Sequence, residues 1–156
     1  MKWITRSHVH VDRVACPWLI TRFIDSDATF LFVPKSKVLQ IAEKEDAIAF
    51  DTPGAKLHHR EDLCTFDVIV KDYELTDKAL LRMAKIINAA DTNHLDADPL
   101  AAGCEAIAEG DSLRFPNDLD NIEAQCGVCV ARCGGGGRGV ARGRGGVRGG
   151  GGVWVG

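Results

Sequence analysis

The chain has 156 residues, 46% of them hydrophobic and 26% charged, with a formal net charge of −3. That is the size and balance of one globular domain, and no apolar run approaches the roughly 20 residues a membrane helix needs. The polar, basic, histidine-bearing stretch from Met1 to Asp12 also lacks the apolar centre of a secretory signal.

Trp3-Ile4-Thr5, aromatic and β-branched, reads as a strand. From Val14 to Ile24 the apolar residues Val14, Ala15, Trp18, Leu19, Ile20, Phe23 and Ile24 fall at helical spacing. Ala28 to Val33 is a compact strand stopped by Pro34. Ser36 is placed to cap a helix running through Val38, Leu39, Ile41 and Ala42. Ala47 to Phe50 is a third strand, ended by the Asp51-Thr52-Pro53-Gly54 turn. A short helix is expected from Phe66 to Tyr73. A longer one follows, capped by Thr76 and built on Leu80, Leu81, Met83, Ala84, Ile86 and Ile87. Pro99 opens another from Leu100 to Glu109, closed by Gly110. Strands alternate with helices early and helices dominate late. The expected fold class is therefore α/β (or α+β), with a small sheet in the N-terminal half, helices packed on it, and a helical C-terminal half.

The domain is expected to span residues 1–126, with a Gly/Arg-rich tail over 127–156. The tail holds 14 of the 17 glycines, five Arg and no acid, whereas the first 126 residues carry 14 Lys+Arg against 22 Asp+Glu. A segment with so little to bury cannot offset its backbone entropy, so disorder is expected there. Arg-Gly-Gly at Arg144 and at Arg148 gives it, at most, weak nucleic-acid binding. The blander reading is a tail without function, since Gly, Ala, Val and Arg are what a shifted reading frame in GC-rich DNA would encode. Cys126, Cys129 and Cys133 form half of a zinc-like pattern with no second ligand pair after it. Without a signal, the six cysteines are expected to be reduced thiols in a cytoplasmic protein.

Three stretches carry residues suited to chemistry. In Asp12-Arg13-Val14-Ala15-Cys16-Pro17-Trp18, a helix opening at Pro17 would make Cys16 its cap, where the helix dipole favours a thiolate. Arg13 and Arg22 add positive charge there. The bland alternative is a helix that begins near Asp12 and buries Cys16 as a small hydrophobe. In the second stretch, His59 and Cys64 share one polar loop and offer borderline-soft ligands for a transition metal such as Zn or Fe, or a base beside a nucleophile. The bland alternative is a solvated loop followed by a buried cysteine. Asp91, after an apolar helix face, is the third candidate, set against a plain helix-terminal turn.

Asp12-Arg13-x-x-Cys16-Pro17-Trp18-Leu19-Ile20-x-Arg22-Phe23-Ile24-Asp25, Phe50-Asp51, His59-x4-Cys64-Thr65-Phe66-Asp67, Ala90-Asp91-Thr92 and Gly103 together resemble the ChrB-type chromate-resistance family, in its C-terminal domain, over roughly residues 2–125. The resemblance implies a bacterial role in sensing or handling chromate or a related oxyanion, linked to regulation and efflux of that anion. It also implies a separate regulatory or sulfurtransferase domain as partner. The longer regulators of the family carry an additional N-terminal region that acts on DNA; with the sequence opening at the resistance domain, a repressor acting alone is not expected. Chromate is a tetrahedral dianion, and Arg13, Arg22 and His59 are the donor types it wants. Cys16, with Asp12 and Arg13, is the candidate catalytic group, and His59, Cys64 and Asp91 are the candidate metal ligands. The rival expectation is a thiol- or metal-dependent redox or sulfur-transfer enzyme built on the same residues.

Overall fold

The computed structural model describes the backbone of residues 1–134 and the side chains of residues 1–127. The elements are β1 (Lys2–Arg6), α1 (Asp12–Phe23), β2 (Thr29–Val33), a 3-10 turn (Lys35–Lys37), α2 (Val38–Glu45), β3 (Ile48–Ala49), α3 (Thr65–Asp72), α4 (Lys78–Asp91), a second 3-10 turn (Leu95–Ala97), α5 (Ala101–Arg114) and α6 (Asp118–Gly134). A three-stranded parallel sheet of order β2-β1-β3 occupies the N-terminal half, and helices make up the second half. This is the mixed α/β class expected from the sequence.

The period-two alternation of β1 divides the core between the two faces of the sheet. Trp3 pairs in register with Phe30 and Ile48. It joins Phe30, Phe50 and the buried faces of α1, α3, α4 and α5 in the main core. Ile4 points the other way, onto Val38 and Ala42 of α2. Parallel strands require crossovers, and α1 and α2 supply them. All three strands therefore end at the same edge of the sheet. Arg6, Val33 and the Phe50-Asp51 step lie along that edge.

The first helix begins at Asp12, the second of the two readings of this stretch, so Cys16 sits in its second turn as a buried residue and Pro17 lies inside the helix. Only one backbone bond is lost to that proline, and the wholly buried Cys16, Leu19 and Ile20 hold the helix against the core. Several other local expectations change. Ser36 is not the cap of α2. It falls within the 3-10 turn, and Lys37 stands at the N-cap. Asp77, not Thr76, caps α4, its carboxylate accepting from the Leu80 amide at 2.9 Å. Gly110 does not close α5, which runs on to Arg114. A helical glycine costs about 1 kcal/mol relative to Ala, and the packing of α5 on α4 and α6 outweighs that.

The sequence reading places no helix at α6. Its buried stripe is Asn121, Ile122 and Gln125, and Gln125 donates to Asn121 across one turn at 2.6 Å. An apolar pattern does not register a stripe that is two-thirds amide. The backbone of α6 extends to Gly134 and so takes in the first tail residues. Residues 135–156, with both Arg-Gly-Gly triplets, lie outside the described residues, as do the side chains of Cys129 and Cys133. Among the described residues, no helix is long and apolar enough to cross a membrane.

Candidate metal centre

The residues that could carry chemistry meet at the carboxyl edge of the strands, where open α/β sheets commonly build their sites. Asp12 arrives at the start of α1, Asp51 just after β3, and Asp91 at the end of α4. His59 comes from the loop between β3 and α3, which is pinned on both sides. Phe50 bridges to Leu57, Arg60 bridges to Leu63, and the Arg60 guanidinium grips Asp72 through two bonds of 2.8 and 2.6 Å.

The His59 ring is the hub. Its Nε2 lies 3.2 Å from Asp91 Oδ2 and 3.4 Å from both Asp12 Oδ2 and Asp51 Oδ1. One ligand atom each from Asp12, His59 and Asp91 falls within 4.8 Å of the others. Asp12 is 1% exposed, while the His59 side chain is 42% exposed, so the cluster is closed towards the core and open on one side.

The buried carboxylates are held by fixed donors. Asp12 Oδ2 accepts from the Thr65 amide at 2.8 Å, which places it at the N-terminus of α3, and the Cys16 thiol faces its Oδ1 at 3.7 Å. Asp51 accepts from the Thr65 hydroxyl at 3.0 Å and from the Arg6 and Arg13 guanidiniums, each at 3.3 Å. The Asp12 amide donates to Asp91 Oδ1 at 3.4 Å. Asp51 itself has φ 46°, and Val11, the residue before Asp12, has φ 33°. For a β-branched residue that is a strained backbone, held by the structure around it.

Crowding and burial strengthen the hold of Asp91 and Asp51 on their protons. Burial, then repulsion from Asp12, raises Asp91 from its ordinary value to about 7, against the opposing charge of His59. Burial, then the Asp12 charge, also raises Asp51, although Arg13 and Arg6 oppose it. Its hydrogen bond to Asp12 raises His59, with the Asp91 and Asp51 charges adding to it. Positive charge is therefore favoured at the hub, whether from a proton on the imidazole or from a metal ion in its place.

The structure gathers most of the residues singled out from the sequence. Asp12, Arg13, Cys16, His59 and Asp91 touch one another directly or through one carboxylate. Cys64 caps α3 beside them, its thiol facing Asp67 Oδ2 at 3.4 Å. It is not part of the candidate ligand set, in which Asp12 joins His59 and Asp91. Arg22 is in the last turn of α1, about 15 Å along the helix from Asp12 at the usual rise. Asp51 is a site residue that the sequence reading does not single out. An acid immediately after a strand and before a Pro-Gly turn is the signal for it.

The two thiols are not set up as thiolates. Cys16 is wholly buried, and burial followed by the Asp12 charge pushes it well above the usual thiol range. Burial and the same carboxylate push Cys64 up as well. In the native protein at pH 7, both should resist alkylation and label only after unfolding, as read by site-resolved mass spectrometry under native and denaturing conditions. Rapid native labelling of Cys16 would contradict the helix interior described above.

Among known proteins, the chain matches the family described as ChrB, C-terminal domain, over residues 3–130. It is similar to Protein ChrB of Cupriavidus metallidurans, with 40% identity over 125 residues. The match covers 78% of this chain and 37% of that protein, so the chain spans little more than a third of the length of this relative. No solved structure matches.

Proposed function

This chain belongs to the family of ChrB C-terminal domains, and from that premise we propose that it serves chromate resistance through a divalent-cation centre. Asp12, His59 and Asp91 would hold the ion, with Asp51 as a further carboxylate beside it. The observation that carries this reading is the convergence of carboxylates from three separate elements on one imidazole.

The donor chemistry fits. Carboxylate oxygens suit Mn²⁺ and Mg²⁺, and an imidazole among them brings in Fe²⁺ and Zn²⁺. Each carboxylate has a partner that orients it: the α3 amide on Asp12, the α1 amide on Asp91, and two arginines with a hydroxyl on Asp51. The bound ion would supply a Lewis-acidic, positively charged face for an oxyanion.

Charge also argues against chromate resting directly on these side chains. At about 4 Å and an effective dielectric of about 20, each pair of like charges costs about 4 kcal/mol. Arg13 is already engaged with Asp51 and the His8 carbonyl, and His59 is shared among carboxylates. Three carboxylates around one imidazole suit a cation better than a dianion. The burial of both thiols gives no support to the thiol-based alternative, whereas a metal-dependent reaction is compatible with the same centre.

The test is calorimetric titration of chelator-stripped protein with Mn²⁺, Fe²⁺ (anaerobically) and Zn²⁺, followed by sulfate as a redox-inert stand-in for chromate. One cation per chain is expected, with sulfate uptake only after the cation is bound. Absence of stoichiometric binding by all three cations would remove the metal centre from this reading. Sulfate binding of equal strength without a cation would restore the direct anion pocket.

A further inference from the structure

We infer that Asp118, the first residue of α6 and outside the site, is a positioning residue that sets the geometry of the cation ligand Asp12. The inference rests on the metal reading for its consequence but not for its geometry.

The segment from β1 to α1 must turn sharply to deliver Asp12. It contains two residues with left-handed backbone, His8 at φ 63° and Val11 at φ 33°. Such conformations cost about 1–3 kcal/mol each and persist only where neighbouring groups hold them. Asp118 holds the first of them and the residue after it. Its Oδ2 accepts from the His8 amide at 3.1 Å and its Oδ1 from the Val9 amide at 2.8 Å, across 110 and 109 residues of sequence. Each carboxylate oxygen thus takes one of two successive backbone donors.

The grip continues on both sides. The His8 carbonyl accepts from Arg13 Nη2 at 3.4 Å, and the same guanidinium reaches Asp51 Oδ2. Beneath the segment, Val9 and Val14 pack on Ile122, one turn along α6 from Asp118. A continuous set of contacts therefore runs from α6 through His8 and Arg13 to the carboxylate cluster. Without Asp118, two amides lose their acceptors, the strained turn is free to relax, and Asp12 moves relative to Thr65, His59 and Asp91.

Two measurements on Asp118→Ala and Asp118→Asn test this. The first is amide hydrogen exchange at Thr65, whose N–H donates to Asp12 and so reports the position of Asp12 without any metal. The second is Mn²⁺ affinity. Val38→Ala, in the small core on the opposite face of the sheet, is the control for general destabilisation. The expected result is loss of Thr65 protection in Asp118→Ala and Mn²⁺ binding weaker by about 10-fold, the lower end of what removing a direct partner of a ligand does. Asp118→Asn, which keeps one acceptor oxygen, should fall between it and the wild type, and Val38→Ala should keep wild-type affinity despite a lower Tm. Unchanged Thr65 protection in Asp118→Ala overturns the inference. So does an equal loss of protection at Thr65 in Val38→Ala. If the wild type binds no Mn²⁺ yet Asp118→Ala still loses protection at Thr65, the metal reading fails and the positioning role stands.

Discussion

Asp91→Asn should abolish cation uptake while making the cation-free protein more stable above pH 7. In the fold, Asp91 titrates near 7 instead of at its ordinary 3.8, because it is buried and faces Asp12. Between those values the folded protein keeps a proton that the unfolded chain has released. Stability therefore falls as pH rises through that window and is lowest above it. His59 acts in the same direction. Its value is raised, so its contribution is complete below about 6.5 and is lost as pH climbs through the raised value.

Asparagine resembles the protonated acid and can still accept from the Asp12 amide, so the variant should escape the Asp91 part of this loss. The gain at pH 8 should be on the order of 2–4 kcal/mol, or several degrees in Tm for a domain of this size. The wild type should recover that stability when a cation is added, and more so at pH 8 than at pH 5, because binding displaces protons. Thermal unfolding of both proteins at pH 5 and pH 8, with and without Mn²⁺, reads all of this. A variant that still binds one Mn²⁺ per chain, or that is less stable than the wild type at pH 8, would show that Asp91 is not part of a charge-strained cation centre.

Phe50→Ala should come close to unfolding the domain. Phe50 is fully buried and packs T-shaped against Trp3 and Phe30, each at 6.4 Å between ring centroids. It also immediately precedes Asp51, and its amide donates to the Ile4 carbonyl at 3.0 Å, extending the sheet by one residue past β3. Truncating a buried Phe costs about 3–5 kcal/mol, a large share of the 5–15 kcal/mol typical of a whole domain. Urea denaturation should show a markedly lower midpoint, and any protein still folded should bind Mn²⁺ poorly because the Asp51–Leu57 loop has lost its anchor. Phe50→Leu, which keeps most of the volume, should lose much less. Equal midpoints for Phe50→Ala and the wild type would mean that the aromatic cluster is not the keystone of the main core.

The sequence by itself determined the class of fold and the candidate residues. Strand β1 and helices α1, α3 and α4 announce themselves because each buries an apolar stripe against its neighbours, and a stripe of side chains is a local property of the chain. Asp12, His59 and Asp91 could likewise be picked out one by one, since polar residues of these types end apolar elements. Tertiary structure alone decided which of them meet. Asp12 and His59 are 47 residues apart in sequence, and Asp91 is another 32 beyond; only the parallel crossovers and the return of α4 bring them to one edge of the sheet. Tertiary structure also decided between the two readings of Cys16. A proline after a cysteine suits a helix start or a helix interior, and here α1 starts at Asp12, whose carboxylate accepts from the α3 amide, with Cys16 buried in the interior. The role of α6 was hidden for a related reason. Its inward stripe is amide rather than apolar, and Asp118 acquires its function from two amides about 110 residues earlier, a distance over which no local pattern carries information.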